Sequence, residues 1–292
     1  MIRFHKIEGT GNDFIVIDDR EAADLDWPAL GVRLCDRHHG VGADGLLLVR
    51  ESVDADLRMR LINADGSEAE MCGNGVRCTA KFALDTGMTE RTELAWETLA
   101  GVIRTEVTSR EGTAASVRVD MGSPRFRPAE VPVRVAGDEV LDRPFDLGGG
   151  ELRLTCLSMG NPHAVAFVDD VESFPLREVG PLVERHPGFP NRTNFEVVEL
   201  IDPATARMRV WERGVGETMA CGTGACAAAV AGRLVRDAAA RMTIHLPGGT
   251  LNLAWERGES VFLSGPAVTV YVGEVALAEL AVGAGAAAAR GG

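Results

Sequence analysis

Apolar positions in this chain fall in short runs punctuated by glycine, proline and asparagine, the pattern of strands and turns. Phe4 to Ile7 and Phe14 to Asp18 predict two strands about a glycine turn at Gly9-Thr10-Gly11-Asn12, and Leu46 to Val49, Leu57 to Ile62, Ile103 to Val107 and Val117 to Val119 predict further strands. The rhythm changes after Cys72-Gly73-Asn74-Gly75. There Val76, Ala80, Phe82, Ala83 and Leu84 recur at helical spacing until Thr86-Gly87 ends the run. A stretch rich in Pro and Gly, from Ser123-Pro124 to Gly148-Gly149-Gly150, reads as a domain boundary. Beyond it, Leu152 to Leu157, Ala164 to Val168, Phe195 to Leu200 and Met208 to Trp211 predict strands, and Ala225 to Val235 predicts a helix. A last strand is expected at Ala267 to Val272, ahead of a frayed tail containing Gly283-Ala284-Gly285-Ala286.

The second half repeats the first. Placing Cys72 over Cys221 gives an offset of 221 − 72 = 149, at which Met59-Arg60 falls on Met208-Arg209, Glu68 on Glu217, Gly73 on Gly222 and Gly75 on Gly224. The same offset carries Gly11-Asn12 onto Gly160-Asn161 and the run Leu46 to Val49 onto Phe195 to Val198. Agreement at separated landmarks points to duplication of a whole domain. Duplicated domains packed about an approximate two-fold axis bring equivalent residues to opposite sides of one cleft, and here those residues are Cys72 and Cys221.

The chain's 292 residues suit two domains, and 46% hydrophobic with 25% charged residues is the balance of a globular protein. A net charge of -13 repels polyanions and argues against nucleic-acid partners. No apolar run is long enough to span a membrane, and the opening Met1-Ile2-Arg3-Phe4-His5-Lys6 lacks the features of a signal peptide, so a cytoplasmic location is expected. The six cysteines form neither a C-x-x-C pair nor a zinc-spaced cluster, so they are expected to be thiols, with no metal. Gly40-Val41-Gly42-Ala43-Asp44-Gly45 matches a dinucleotide-binding pattern formally, but a strand follows it where that motif needs a helix.

Inverting a stereocentre by proton transfer needs a base on one face of the carbon and an acid on the other. Cysteine, with a reference pKa of about 8.5, serves both roles, and a thiolate at a helix N-terminus is stabilised further. Cys72 and Cys221 each stand where a C-G-x-G turn opens a helix. The backbone N–H groups around Gly73-Asn74 and Gly222-Thr223 are positioned to hold the charge that develops on an amino acid's carboxylate when its α-proton leaves. Cys35, Cys78, Cys156 and Cys226, which lack such a setting, read as buried apolar residues. His163 stands beside the Gly160-Asn161 landmark, and Glu212-Arg213 leads toward Cys221. Glu212 aligns with Asn63, so the halves differ there in charge, as a substrate with an asymmetric far end requires.

Gly9-Thr10-Gly11-Asn12-Asp13-Phe14, Asn63-Ala64-Asp65-Gly66-Ser67 with Met71-Cys72-Gly73-Asn74-Gly75, Gly160-Asn161-Pro162-His163, and Glu212-Arg213-Gly214 with Ala220-Cys221-Gly222-Thr223-Gly224 closely resemble the diaminopimelate epimerase family. The likeness runs from Lys6 to about Val272. It implies an α+β fold of two pseudo-symmetric domains, each a curled, barrel-like mixed sheet around a central helix. On this basis residues 1–122, joined by the C-terminal strand 267–282, form the first half, 123–266 the second, and 283–292 a disordered tail. It further implies cofactor-independent epimerisation of LL-2,6-diaminopimelate to the meso form in bacterial lysine and peptidoglycan-precursor biosynthesis, by a homodimer using neither pyridoxal phosphate nor metal. By motif match, Cys72 and Cys221 are the acid/base pair, and His163 and Glu212 tune them. Asn12, Asn63, Asn161, Asn194, Glu212 and Arg213 hold the substrate, while Gly73-Asn74 and Gly222-Thr223 supply the anion holes. Some members carry Gln where this chain has Gly45, which offers only backbone. Three alternatives stay open: a proline- or hydroxyproline-type racemase, a thiol redox protein, and a non-catalytic anion-binding module.

Overall fold

A computed structural model describes residues 1–21, 24–110 and 113–276. The expected tail 283–292 and the end of the expected last strand lie outside the described residues. In chain order the elements are β1 (Ile2–Gly9), β2 (Asn12–Asp18), α1 (Trp27–Cys35), β3 (Gly45–Arg50), β4 (Leu57–Asn63), β5 (Glu68–Ala69), α2 (Gly73–Asp85), β6 (Glu93–Thr98), β7 (Gly101–Arg110) and β8 (Thr113–Asp120). They continue with β9 (Val140–Asp146), β10 (Glu151–Ser158), β11 (Pro162–Phe167), α3 (Leu176–Glu184), β12 (Asn194–Asp202), β13 (Thr205–Glu212) and β14 (Gly216–Thr218). The last are α4 (Gly222–Val235), β15 (Arg241–Leu246), β16 (Gly249–Ala254), β17 (Phe262–Gly265) and β18 (Val268–Val275). The chain divides into two compact units, Met1–Val117 with the segment from Pro266, and Arg118–Gly265.

In the first unit β1 and β2 form a hairpin closed by the pair Gly9↔Asn12. Its two turn residues, Thr10 and Gly11, have φ of 57° and 86°, the doubly positive turn whose twist suits a two-residue hairpin. The chain then crosses over through α1 to lay β3 parallel to β2, returns antiparallel as β4, and crosses through α2 to place β6 parallel to β4. The mixed sheet curls around α2, which meets β1, β2, β3, β4 and β7 and is buried continuously from Gly73 to Ala83. A helix buried all round belongs at a centre. The outer face of the sheet is covered by α1, with Trp27 and Leu34 in one apolar cluster with Ile15, Leu46, Leu48 and Ile62. β3 is therefore apolar on both faces. Leu46 and Leu48 belong to the outer cluster, whereas Leu47 lies against Gly75 of α2.

The second unit repeats this plan element by element. At the 149-residue offset β1 maps onto β10 and α1 onto α3 residue for residue, and the other equivalents agree closely in their starts. The order of pairings is also the same: antiparallel β10–β11, parallel β11–β12, antiparallel β12–β13, parallel β13–β15. Tight contacts recur as well. A Cβ on Gly31 of α1 would stand 2.7 Å from Ile62, and one on the equivalent Gly180 of α3 would stand 2.6 Å from the equivalent Trp211. Both outer helices thus need glycine to seat against the sheet. α4, rich in alanine and buried from Gly224 to Gly232, occupies the centre.

Some elements were not legible in the hydrophobic pattern. α1 and α3 have nine residues each and carry Gly and Pro, which blur a helical period. The Pro- and Gly-rich segment expected to separate the halves contributes Val131, Val133, Val140 and Phe145 to the core of the second unit, the last two on β9. β9 contains Pro144 and Asp142 with φ of 49°, so its strand signal is interrupted.

Candidate functional site

Each unit presents a cysteine at the N-cap of its central helix. Cys72 has φ −142° and ψ 117°, and its Sγ accepts a hydrogen bond from Gly75 N at 3.4 Å. Cys221 has φ −127° and ψ 115°, and its Sγ accepts from Gly224 N at 3.4 Å. The sulfur takes the place that a serine or aspartate oxygen usually fills, so the N–H groups and dipole of the helix favour a thiolate there. In the second unit, burial and the carboxylates of Glu212 and Glu196 act in the opposite sense and push the Cys221 thiol well above its usual range.

In the first unit a hydrogen-bonded chain fixes the two asparagines expected to hold substrate. Arg77, fully buried on α2, donates to Asn74 Oδ1 at 2.8 Å and to Thr10 Oγ1 at 2.7 Å. Asn74 Nδ2 then donates to Asn12 Oδ1 at 2.6 Å, and Asn12 Nδ2 donates to Asp44 Oδ2 at 3.0 Å. A guanidinium only donates and a carboxylate only accepts, so the two ends dictate the orientation of both amides. Asp44 also pairs with Arg37, which together with Lys6 grips Asp13. Burial pushes the Asp13 carboxyl up, but Arg37 and Lys6 outweigh it and hold it at about 2. Asn63 ends β4 and donates to Ser67 Oγ at 3.0 Å. Gly45 pairs with both Phe14 and Asn63, and a Cβ there would stand 2.9 Å from Leu61 Cδ1 and 3.1 Å from Ile62 O. Close strand packing accounts for this glycine.

The second unit gathers a different set around Cys221. His163 is fully buried, with Nδ1 2.7 Å from Glu196 Oε1 and Nε2 2.9 Å from Asn161 Oδ1. Asn161 Nδ2 donates to Thr223 Oγ1 at 3.2 Å, and Thr223 Oγ1 lies 3.4 Å from Cys221 Sγ. Glu212 accepts from Thr218 Oγ1 and also interacts with the Cys221 thiol. Burial raises the Glu212 carboxyl, the Thr218 hydrogen bond opposes this, and Glu196 adds to it. Asn194 is a brace: its Nδ2 donates to Pro162 O and its Oδ1 accepts from Arg213 N, each at 2.9 Å. The Arg213 side chain reaches Asn191 O at 3.3 Å.

Thus Cys72, Gly73, Asn74 and Asn12 come together in the first unit, with Asn63 across β3, and Cys221, Gly222, Thr223, Asn161, His163 and Glu212 come together in the second. The sequence reading missed Arg77, Asp44 and Glu196. For Glu196 a signal existed, since a carboxylate stands where the aligned apolar run has Leu47. Among the described residues no group of three or more His, Cys, Asp or Glu is arranged to hold a metal ion, and no helix is long and apolar enough to cross a membrane.

Comparison with known proteins places this arrangement in context. The sequence pattern of the family described as diaminopimelate epimerase matches residues 4–127 and 155–275. The diaminopimelate epimerase of Pelotomaculum thermopropionicum is 50% identical over 275 residues, covering 94% of this chain and 98% of its own. That of Moorella thermoacetica is 49% identical over 278 residues, covering 94% and 100%. A probable proline racemase from Agrobacterium radiobacter K84, solved with bound carbonate, superposes with a TM-score of 0.68 at 19% identity, covering 95% and 93%, and shares the fold.

Proposed function

This chain belongs to the diaminopimelate epimerase family, and from that premise we propose that it interconverts LL- and meso-2,6-diaminopimelate by two-base proton transfer between Cys72 and Cys221. The observation that carries the reading is the matched pair of sulfurs, each the N-cap of the central helix in one of two duplicated units. One thiolate removes the α-proton and the other thiol delivers a proton to the opposite face. Burial and the carboxylates of Glu212 and Glu196 favour the thiol form of Cys221, which suits it to the acid role in one direction. Reversal exchanges the roles. Charge that develops on the substrate carboxylate is held by backbone N–H groups of Gly73-Asn74 and Gly222-Thr223, oriented before reaction and so spared reorganisation. No pyridoxal phosphate or metal is required by this scheme. Asn12, Asn63, Asn161, Asn194 and Arg213 orient the substrate, and His163 and Glu212 adjust the cysteines.

The non-equivalence of the units supports a substrate with two different ends. Glu212 and Arg213 stand where the first copy has Asn63 and Ala64. A cyclic imino acid offers nothing for such a far-end contact, and the proline racemase shares only the fold. We place the enzyme in the cytoplasm, in lysine and peptidoglycan-precursor synthesis. We also read it as a homodimer, a reading supported by the exposed apolar residues Val268, Val270, Tyr271 and Val272 on β18. The test is incubation in deuterated buffer with LL-diaminopimelate and, separately, with proline. Deuterium is expected at the α-carbon of diaminopimelate alone; uptake by proline, or by neither compound, overturns the proposal.

A further inference from the structure

Each copy sets the same ion pair ahead of its cysteine. Arg60 of β4 and Glu68 of β5 correspond, at the 149-residue offset, to Arg209 of β13 and Glu217 of β14. Of the ion pairs formed by the described residues, this is the one present in both copies. Lys81–Asp85 and Arg91–Asp56, for example, have Val230 with Leu234 and Ala240 with Thr205 as their equivalents. In the first unit Arg60 Nε meets Glu68 Oε1 and Nη2 meets Oε2, each at 2.9 Å, a two-bond fork. In the second, Arg209 Nε and Nη2 reach Glu217 Oε1 at 2.9 and 2.7 Å, and Arg177 of α3 donates to Oε2 at 2.8 Å. Arg209 Nη1 also donates to Val171 O and Phe174 O, at 2.9 and 3.0 Å.

Both pairs lie on the sheet face turned away from the central helix. Arg60 is opposite Leu48 and Glu68 opposite Ile62, two members of the apolar cluster under α1. Arg209 is opposite Val197 and Glu217 opposite Trp211, which pack in the cluster containing Leu176 and Val183 of α3. The pairs therefore bear on the site through the backbone. What they fasten is a hairpin of the same layout in each unit. Its tip carries a residue assigned to the substrate three positions after the arginine, Asn63 or Glu212, and its return strand delivers the cysteine four positions after the glutamate. That return strand is short: β5 has two residues, paired to β4 through Leu61↔Ala69 and Ile62↔Glu68, and β14 has three. A ladder so short opens readily on its own, and the fork adds a side-chain tie across it.

We propose that Arg60–Glu68 and Arg209–Glu217 are positioning pairs, each locking one hairpin so that its substrate-holding tip and its cysteine keep a fixed spacing. The tips diverged between the copies, to Asn63 and Glu212, while the fastening beneath them stayed the same, as a two-base reaction requires of both its sulfurs. This inference rests on that proposed reaction. Proton transfer is sensitive to placement, and a displacement of about 1 Å can cost about a hundredfold in rate. A partly exposed ion pair, by contrast, adds little to global stability. Loss of the fork is therefore expected in kcat and not in folding.

The test uses Glu68→Gln and Glu217→Gln in the full-length chain, which keep the side-chain shape and remove its charge. Each is expected to lower kcat for α-deuterium exchange on LL-diaminopimelate about tenfold and to change KM less than about twofold. The melting temperature should stay within about 3 °C of wild type. Arg58→Gln, which breaks the Arg58–Glu97 bridge between β4 and β6, is the control and is expected to keep the wild-type kcat. In the first unit Arg60→Gln, Glu68→Gln and the double variant form a cycle, and the double is expected to lose no more than either single. Site-resolved alkylation with iodoacetamide in alkaline buffer reads the setting of each sulfur. Glu68→Gln is expected to change the Cys72 rate about threefold or more and to spare Cys221, and Glu217→Gln to do the converse. Wild-type kcat in either glutamine variant overturns the proposal for that pair. Losses that add in the cycle, an equal loss in Arg58→Gln, or equal changes at both sulfurs overturn it altogether. Absence of α-deuterium uptake by the wild type instead sinks the reaction and leaves alkylation to judge the pairs.

Discussion

Replacing Gly224 by alanine probes the buried carboxylate without touching it. The new methyl would come within 2.7 Å of Glu196 Oε1 and 3.2 Å of its Cγ, closer than non-bonded atoms tolerate, so the carboxylate must leave His163. A hydrogen bond to a charged group contributes about 1.5–3 kcal/mol, and a displaced buried oxygen costs more still. Alanine in a helix returns up to about 1 kcal/mol over glycine, so the net loss is about 1–2 kcal/mol. Gly75→Ala is the internal control. It sits at the same position of the first copy and gains the same helix propensity, but its nearest neighbour is Leu47 Cδ2 at 3.2 Å, the end of a flexible side chain, with Cys72 Cβ at an ordinary 3.5 Å. Thermal unfolding by circular dichroism should place Gly224→Ala about 3–8 °C below Gly75→Ala. In a Glu196→Leu background the penalty of Gly224→Ala should largely vanish, because the two residues act through one contact. Equal melting temperatures for the two alanine variants, or a penalty unchanged by Glu196→Leu, would refute the reasoning.

Four other outcomes are expected. Cys72→Ala and Cys221→Ala should each lose epimerisation by at least a hundredfold in a deuterium-exchange assay, and a near-wild-type rate in either contradicts the two-base scheme. Asp13, held at about 2 by Arg37 and Lys6, contributes stability that is present above the unfolded carboxylate range and lost as pH falls toward 2. Asp13→Asn should therefore lower the urea midpoint at pH 7 by the equivalent of about 1–2 kcal/mol, after discounting for the exposed Arg37, and the gap should close near pH 2. Arg77→Met removes the donor that orients Asn74 and Asn12, so it should cost about 2–4 kcal/mol of stability and raise KM for the substrate more than it lowers kcat. Because the Cys221 thiol is raised, its contribution to stability is complete below the unfolded thiol value and fades as pH climbs through the folded one. Alkylation of Cys221 in a Cys72→Ala chain should accordingly be slow at neutral pH and rise only in alkaline buffer.

Cys72 and Cys221 were legible from sequence because duplication copies a motif together with its surroundings, and one offset related them. The central helices were visible because Val76, Ala80 and Ala83 keep their period over several turns. α1 and α3 were not, although Asp26 and Pro28 mark the start of α1, because two turns interrupted by glycine carry too little periodicity. Glu196 left one signal, its place opposite Leu47 in the repeat, and was otherwise masked for a different reason. In an alternating strand a glutamate reads as an outward-facing position, whereas in the fold β12 is covered on both faces, leaving Glu196 at zero exposure. Arg77 and Asp44 escaped notice because neither occupies the cysteine or asparagine motifs; they act by holding Asn74 and Asn12.

The strands flanking β1 and β10 have a bearing on how the protein comes to be made. β9, which follows the first copy in the chain, pairs antiparallel with β10, and β18, which follows the second, pairs antiparallel with β1. Each copy has in effect traded its closing strand for the other's. The N-terminal sheet therefore waits for β18, more than 250 residues later in the chain, to leave the ribosome before β1 gains that neighbour, and a fragment stopping at Gly265 would carry that edge of β1 with a ladder of unanswered amides and carbonyls.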